Sequence, residues 1–244
     1  MGTMIELRNF QKSFGTKKVH QGINLKVERG ECLGLIGGSG TGKSVLLRSL
    51  IGLETPDVGE VLIEGQNISN LRDRALVPFR KKVAYAFQGG ALFDSMTVYE
   101  NLAYPLREHT PLSESDISAK IHAVLEEFGL AGNEAVFPAN LSGGMQKRVG
   151  LARAIILDPE VILYDEPTAG LDPFNTQKIQ AMILNLKKKG KTGILVTHDM
   201  PVAFQVCDRI AMLMNGKVEV IDTVDSILNA ASHPIKSFAQ GEVD

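Results

Sequence analysis

The pattern that decides the fold reads Gly37-Gly38-Ser39-Gly40-Thr41-Gly42-Lys43-Ser44, which matches G-x-x-x-x-G-K-[ST]. A short apolar run over 32–36 precedes it, and apolar residues at helical spacing follow over 44–50. In such a loop the glycines let consecutive backbone N–H groups point at phosphate oxygens, while Lys43 adds positive charge and Ser44 offers a hydroxyl to Mg²⁺. A purely structural turn is disfavoured, because the strand and the helix both stand where a phosphate-binding loop needs them.

The acidic end of a second apolar strand completes this pattern. The run Val161-Ile162-Leu163-Tyr164 leads directly into Asp165 and Glu166. A carboxylate at the end of a strand beside the phosphate loop can hold Mg²⁺, here through Asp165. Glu166 stands one residue further, where a carboxylate can polarise an attacking water. An apolar run that ends in an acid is a weak signal on its own, but paired with the phosphate loop, which already predicts a P-loop NTPase, it becomes a strong one.

A third element, Leu141-Ser142-Gly143-Gly144-Met145-Gln146, stands upstream of the acidic strand. Ser142 is suited to cap a helix, and the two glycines leave backbone N–H groups open at its first turn. Such a sequence on its own is more often a plain helix cap than a ligand site. Its place just before the acidic strand favours a second anion site, separate from the phosphate loop.

Composition excludes several classes of protein. The 244 residues are 44% hydrophobic and 22% charged, which rules out collagen-like, low-complexity and wholly disordered chains. With 26 basic and 28 acidic residues the net charge is −2, so neither nucleic acid nor anionic lipid is expected as the main partner. No apolar run approaches the roughly 18 residues that span a bilayer. The two cysteines favour buried, reduced thiols and an intracellular location.

The chain is organised as one α/β domain over 1–231, followed by a polar, loosely packed tail over 232–244. Strand patterns dominate the first part of the sequence. Between about 89 and 155 the apolar periodicity is that of helices, with capping signals at Thr97 and Ser113. Strand patterns return at Val161. A helical subdomain is therefore expected as an insertion in an α/β core.

The order of these elements resembles the nucleotide-binding subunit of ABC transporters over nearly the whole chain. Gln88 matches the Q-loop of that family, Ala169-Gly170-Leu171-Asp172 the D-loop and His198 the H-loop. Phe14 stands where the family usually places a tyrosine that stacks on adenine, and phenylalanine keeps the stacking face. The resemblance implies a P-loop NTPase of the ABC cassette type, with a RecA-like core, an antiparallel β subdomain and an α-helical subdomain.

The resemblance also implies ATP and Mg²⁺ as cofactors and a head-to-tail homodimer with ATP at the interface. It assigns catalytic roles to Glu166, His198, Gln88 and Lys43, with Gln88 coupling the site to the helical lobe. It assigns Mg²⁺ to Ser44, Gln88 and Asp165. The expected nucleotide-binding residues are Phe14, Gly37, Gly38, Ser39, Gly40, Thr41, Gly42, Lys43, Ser44, Val45 and Asp172, with Ser142, Gly143 and Gly144 closing over ATP from the other subunit.

Three longer stretches narrow the resemblance to the ATPase of Mla-type phospholipid transporters. They are Gln88-Gly89-Gly90-Ala91-Leu92-Phe93-Asp94-Ser95-Met96-Thr97-Val98-Tyr99-Glu100-Asn101, Leu141-Ser142-Gly143-Gly144-Met145-Gln146-Lys147-Arg148-Val149 and Tyr164-Asp165-Glu166-Pro167-Thr168-Ala169-Gly170-Leu171-Asp172-Pro173. This similarity implies a peripheral subunit on the cytoplasmic face of the inner membrane, driving phospholipid transport with an integral permease and an MCE-domain lipid-binding protein.

Two other functions remain open at this stage. Importers of amino acids and other small solutes share every catalytic motif, and a cell-division-type ABC ATPase regulates its membrane partner without moving a substrate. Soluble ABC proteins of DNA repair or translation are disfavoured, because the chain carries a single phosphate loop and a single signature. The basic run over 187–191 is expected to be a solvated helix end.

Overall fold

The computed structural model describes residues 2–242. Its strands are β1 (Thr3–Phe14), β2 (Lys17–Glu28), β3 (Cys32–Ile36), β4 (Val58–Ile63), β5 (Gln66–Asn67), β6 (Val83–Ala86), β7 (Val161–Asp165), β8 (Thr192–Val196), β9 (Arg209–Met214) and β10 (Lys217–Thr223). Its helices are α1 (Lys43–Ser49), α2 (Asp73–Lys82), α3 (Val98–His109), α4 (Glu114–Glu127), α5 (Gly143–Ile155), α6 (Pro173–Lys188), α7 (Met200–Val206), α8 (Val224–Asn229) and α9 (Pro234–Ala239), with a 3-10 turn at Pro138–Asn140.

A six-stranded sheet in the order β10-β9-β3-β8-β7-β6 forms the centre of the molecule. Its strands from β9 to β6 run parallel, and β10 returns antiparallel to β9. The central strands β3, β7 and β8 are buried along their whole length, as expected for a parallel sheet that is covered on both faces. Since parallel strands end at one edge, the segments that follow β3, β7 and β8 emerge side by side.

Two hydrophobic clusters cover the two faces of this sheet. Alternation along β7 sends Val161 and Leu163 to the cluster shared with α1 and the antiparallel sheet β2-β1-β4-β5. The same alternation sends Ile162 and Tyr164 to the cluster shared with helices α3 to α7. The result is three layers, with the parallel sheet in the middle, and the α/β prediction is confirmed.

The regular structure between β6 and β7 is entirely helical. Side-chain caps begin the helices: Thr97 makes a full capping box at α3, and Ser113 accepts a backbone N–H at α4. Helix α5 contacts both α3 and β6, which places this helical segment against the parallel sheet. Among the helices within residues 2–242, we find none with the length and apolar character needed to cross a bilayer.

The structure adds detail to two expectations from the sequence. The described part of the tail is packed, because Ile235 of α9 is fully buried in the core. Residues 243 and 244 of the expected tail lie outside the described residues, and so does residue 1 of the expected domain. The basic run lies at the end of α6, as expected, and it also forms ion pairs. Lys187 pairs with Asp208 at 2.7 Å, and Lys189 and Lys191 pair with other carboxylates in the same way.

Candidate functional site

A cavity of about 550 Å³ opens at the edge of the parallel sheet where β3, β7 and β8 end. The turn between β1 and β2 closes its other side. The sequence-predicted residues that line it are Phe14, Gly37, Ser39, Gly40, Gly42, Lys43, Ser44, Val45, Gln88, Asp165, Glu166 and His198. Residues from five separate segments of the chain therefore meet at one place.

The loop from Gly37 to Gly42 needs glycine at both of its ends. Gly37 has φ 150° and Gly42 has φ 95°, conformations that residues with a side chain rarely adopt. A Cβ atom at Gly42 would lie 2.5 Å from a methyl carbon of Val19 and 2.6 Å from the His20 ring. At Gly37 it would overlap the carbonyl oxygen of Leu213. The backbone can therefore follow this path only without side chains at these two positions.

Lys43 reaches back over the loop that precedes it. Its ammonium nitrogen donates to the carbonyl oxygens of Gly37 at 2.7 Å and Gly38 at 2.9 Å. Burial lowers the pKa of Lys43, and the nearby carboxylates of Glu166 and Asp165 act in the opposite direction. The positive charge thus stands at the loop where an anion would be held. Thr41 tightens the same loop by donating its hydroxyl to the Gly38 carbonyl at 2.9 Å.

The Asp165 carboxylate is held between two hydroxyl groups. Ser44 Oγ donates to its Oδ1 at 3.1 Å, and Tyr85 Oη donates to its Oδ2 at 2.7 Å. Asp165 is only 9% exposed, so these two bonds replace water that the carboxylate loses on folding. Burial and the bond to Asp165 both raise the pKa of Tyr85, which keeps the phenol protonated and able to donate.

Glu166 follows Asp165 directly but points elsewhere. Its φ of 49° lies in the left-handed region, which is unusual for a residue with a long side chain. Its Oε2 lies 2.8 Å from Nδ1 of His198, and the His198 backbone N–H also reaches it at 3.4 Å. The His198 side chain is 71% exposed and stands at the mouth of the cavity. A carboxylate and an imidazole thus face the cavity as a contacting pair.

The signature residues lie in a different place. Ser142 caps α5 by accepting the Met145 N–H at 3.3 Å, and a Cβ at Gly144 would lie 2.7 Å from the side chain of Asn175. Asn175 donates to Asp172 at 2.5 Å, and this bond lowers the pKa of Asp172. The structure therefore brings Ser142, Gly143, Gly144 and Asp172 together, and none of them lines the cavity that holds Lys43.

Comparison with known proteins agrees with this geometry. Residues 20–169 match the family model described as ABC transporter. The chain belongs to the ABC transporter family. Its sequence is 37% identical to the intermembrane phospholipid transport system ATP-binding protein MlaF of Haemophilus influenzae, over 99% of this chain and 92% of that protein. In structure it resembles the ABC cassette MJ0796, solved as a dimer bound to ADP and Pi, with TM-score 0.84, 33% identity and coverage of 91% and 99% of the two chains.

Other relatives of this ABC ATPase carry different names. The methionine import ATP-binding protein MetN of Haemophilus ducreyi is 41% identical over 97% of this chain and 69% of its own length. The "Probable ribonucleotide transport ATP-binding protein mkl" of Mycobacterium leprae is 40% identical over 99% of this chain and 70% of its own length. All three relatives are named as ATP-binding proteins of transport systems, but the transported substrate differs between them.

The residues of this ABC ATPase fit its cofactors, ATP and Mg²⁺. Mg²⁺ favours a few protein oxygens together with phosphate oxygens and water rather than a cage of carboxylates. Within residues 2–242 there is no cluster of three or more histidine, cysteine, aspartate or glutamate side chains suited to a metal. Ser44 Oγ and Asp165 Oδ1, beside the phosphate loop, are the kind of oxygen pair that a phosphate-bound Mg²⁺ requires. The site is suited to the metal together with its nucleotide.

Several residues of the site carry no motif that the sequence reveals. Lys17, Val19 and Val196 line the cavity, and Tyr85 contacts Asp165 from outside the predicted set. Lys17 comes three residues after Phe14 across the β1–β2 turn, so its position depends on where that turn packs. The strand pairing brings Tyr85 to a residue 80 positions further along the chain.

Proposed function

We propose that this chain is the ATP-hydrolysing subunit of a transporter that moves phospholipid between membranes. The observation that carries the ATPase part is the meeting of Lys43, Asp165, Glu166 and His198 around one cavity at the sheet edge. Similarity to MlaF over 92% of that protein's length supports the lipid part. In this proposal the chain works on the cytoplasmic face of the inner membrane, beneath an integral permease and with an MCE-domain partner.

In the proposed reaction Glu166 orients and polarises the attacking water, and His198 contacts the γ-phosphate. The 2.8 Å contact between the two side chains supports this division, since each fixes the direction of the other. Lys43 neutralises charge on the phosphates. Gln88 lines the same cavity and couples the site to the helices that follow it in the chain. Mg²⁺, held by Ser44, Asp165 and Gln88, would neutralise charge that develops on the transferred phosphoryl group.

Replacement of Glu166 by glutamine tests the catalytic assignment. Glu166→Gln keeps the shape of the side chain and removes the base, so we expect hydrolysis to fall by about 100-fold or more while ATP still binds. The matched control is Glu219→Gln, because Glu219 is exposed on β10, away from the cavity. Hydrolysis by Glu166→Gln at the rate of the control would remove Glu166 from the mechanism.

We also propose that two copies assemble head to tail, each signature cluster closing the cavity of the other copy. The separation of Ser142 to Gly144 from the cavity of their own chain supports this arrangement, as does the dimeric structure of MJ0796. In each site the phosphate loop would come from one chain and the anion-binding turn at the start of α5 from the other.

A mixing experiment tests the shared site. Lys43→Ala disables the phosphate loop. Gly143→Asp places a carboxylate in the signature without a clash, because a Cβ at Gly143 meets no atom of the described chain within 4 Å. Each variant alone should be inactive, and a mixture of the two should regain activity, since a mixed pair contains one site with both halves intact. A mixture that stays inactive, although differently tagged copies of the two variants copurify in the presence of ATP, would contradict the head-to-tail site.

Methionine import is the second candidate, favoured by 41% identity to MetN over 97% of this chain. The segment from Gln88 to Asn101 and Met145 argue for the lipid transporter, because their sequence resembles the Mla-type ATPases. Purification of the intact membrane complex separates the two functions. We expect an MCE-domain protein and bound phospholipid to copurify with it. Copurification of a periplasmic amino-acid-binding protein would overturn the lipid proposal while leaving the ATPase assignment in place.

A further inference from the structure

Tyr85 lies beside the expected Mg²⁺ ligand Asp165, although no sequence motif includes it. Strand β6 pairs in parallel with β7, with Tyr85 opposite Leu163. Side chains alternate along a strand, so Tyr85, Leu163 and Asp165 share one face of the sheet. Diagonal neighbours on adjacent strands are within reach of a long aromatic side chain. This placement brings the Tyr85 hydroxyl to within 2.7 Å of Asp165 Oδ2.

Packing that does not involve Asp165 holds the Tyr85 ring in place. It stacks on Phe87 with the two ring centroids 4.2 Å apart, and it packs against the hydrophobic cluster between the two sheets. Because the ring is fixed by these contacts, its hydroxyl is aimed at one point. The carboxylate oxygen Oδ2 occupies that point, which leaves Oδ1 on the side of Ser44 and the phosphate loop.

We propose that Tyr85 is a positioning residue that orients the Asp165 carboxylate toward Mg²⁺. The inference rests on the proposed role of Asp165 as a metal ligand. A carboxylate with one oxygen held by a rigid hydrogen-bond donor presents the other oxygen in a fixed direction. Loss of such a partner typically lowers metal affinity by about 10–100-fold. The other hydroxyl on this carboxylate, Ser44, is itself an expected metal ligand, so Tyr85 is the partner that remains when Ser44 turns to the metal.

The test uses Tyr85→Phe, which removes the hydroxyl and keeps the ring that stacks on Phe87. Mn²⁺ serves as the probe and is titrated into the ATP complex in a Glu166→Gln background, with bound Mn²⁺ measured by electron paramagnetic resonance. We expect the Mn²⁺ dissociation constant to rise by about tenfold or more. Affinity for fluorescent mant-ATP in EDTA should stay unchanged. The matched control is Tyr164→Phe, because Tyr164 is a buried tyrosine of the neighbouring strand that packs on the opposite face of the sheet.

Each outcome bears on one part of the inference. Unchanged Mn²⁺ affinity in Tyr85→Phe, with weaker affinity in Asp165→Asn, would overturn the role of Tyr85 alone. Unchanged affinity in Asp165→Asn would overturn the proposed metal role of Asp165 and the inference that rests on it. If Tyr85→Phe lost mant-ATP affinity equally with metal and in EDTA, Tyr85 would be a purely structural residue and the positioning role would be overturned. A Mn²⁺-specific loss in Tyr85→Phe, absent from Tyr164→Phe, supports the positioning role.

Discussion

His20 makes the stability of this protein depend on pH, and the substitution His20→Leu should remove that part of the dependence. The ring is 1% exposed and lies beneath the phosphate loop, with Nε2 3.2 Å from the Gly42 carbonyl. Its Nδ1 is buried and has no hydrogen-bond partner among residues 2–242. Burial lowers the pKa of His20 from 6.5 to about 4, because a charged imidazole would lose its hydration there.

The sign of the effect follows from the lowered pKa. Between pH 6.5 and pH 4 the unfolded chain binds a proton at His20 that the folded chain does not bind, so the free energy of unfolding falls as the pH falls. This loss reaches about 2.5 kcal/mol at pH 4.5 and is nearly absent at pH 7.5. At pH 7.5 we expect His20→Leu to lie within about 1 kcal/mol of the wild type, since Gly42 still accepts the Leu46 N–H at 3.0 Å.

Urea denaturation of both proteins at pH 7.5, 6.0 and 4.5 measures this effect, with the exposed His122→Leu as the control. Other titrating groups are common to all the variants, so their contributions cancel in the difference. The wild type should lose about 2.5 kcal/mol relative to His20→Leu between the highest and the lowest pH. A stability difference that stays constant over this range would refute the reasoning, since it would mean that His20 titrates alike in both states.

Three further substitutions test other contacts. Gly150→Ala should lower the free energy of unfolding by about 1–3 kcal/mol in urea titrations, because the new Cβ would lie 2.4 Å from the Cα of Gly90 and 2.8 Å from its carbonyl oxygen. An unchanged free energy of unfolding would mean that α5 and the loop after Gln88 separate easily. Asn101→Leu should lower the free energy of unfolding by about 2–4 kcal/mol in the same assay, because the buried Asn101 amide hydrogen-bonds to both the N–H and the carbonyl of Phe93. A loss of stability no larger than that of a substitution at an exposed position would contradict this role. Phe14→Ala should weaken mant-ATP binding by about tenfold if Phe14 stacks on the base, whereas the equally exposed Phe137→Ala should not.

The fold was predictable where burial leaves a strong pattern. Strands β3 and β7 are short apolar runs next to the phosphate loop and the acidic pair, a pattern typical of strands that are buried on both faces. Helix α2 was missed for the opposite reason. Only Leu76 is buried in it, and Pro78 lies inside it, where a proline argues against a helix. Helix α9 was missed because it is only six residues long and Ile235 is its one fully buried residue, which is too little for an apolar periodicity.

The candidate site was predictable wherever the chemistry lies within one short stretch. The phosphate loop and the Asp165-Glu166 pair each carry their own pattern, and both line the cavity. The residues that the sequence does not reveal reach the site through tertiary structure. Tyr85 does so through the register between two strands, and His20 through the packing of β2 beneath Gly42. No local sequence pattern marks either residue, because each position is set by contacts with a segment that is distant in the sequence.

The adjacent carboxylates Asp165 and Glu166 illustrate how backbone conformation separates two chemical roles. Asp165 ends a buried strand, so its side chain follows the strand alternation and lies on the face of α1, where two hydroxyls hold it. If Glu166 continued the strand, its side chain would enter the opposite face, among the apolar residues that surround Tyr164. The positive φ at Glu166 breaks this alternation and directs the carboxylate to His198 instead. The backbone strain at this residue therefore keeps both carboxylates at the cavity, one held by hydroxyl donors and one paired with an imidazole.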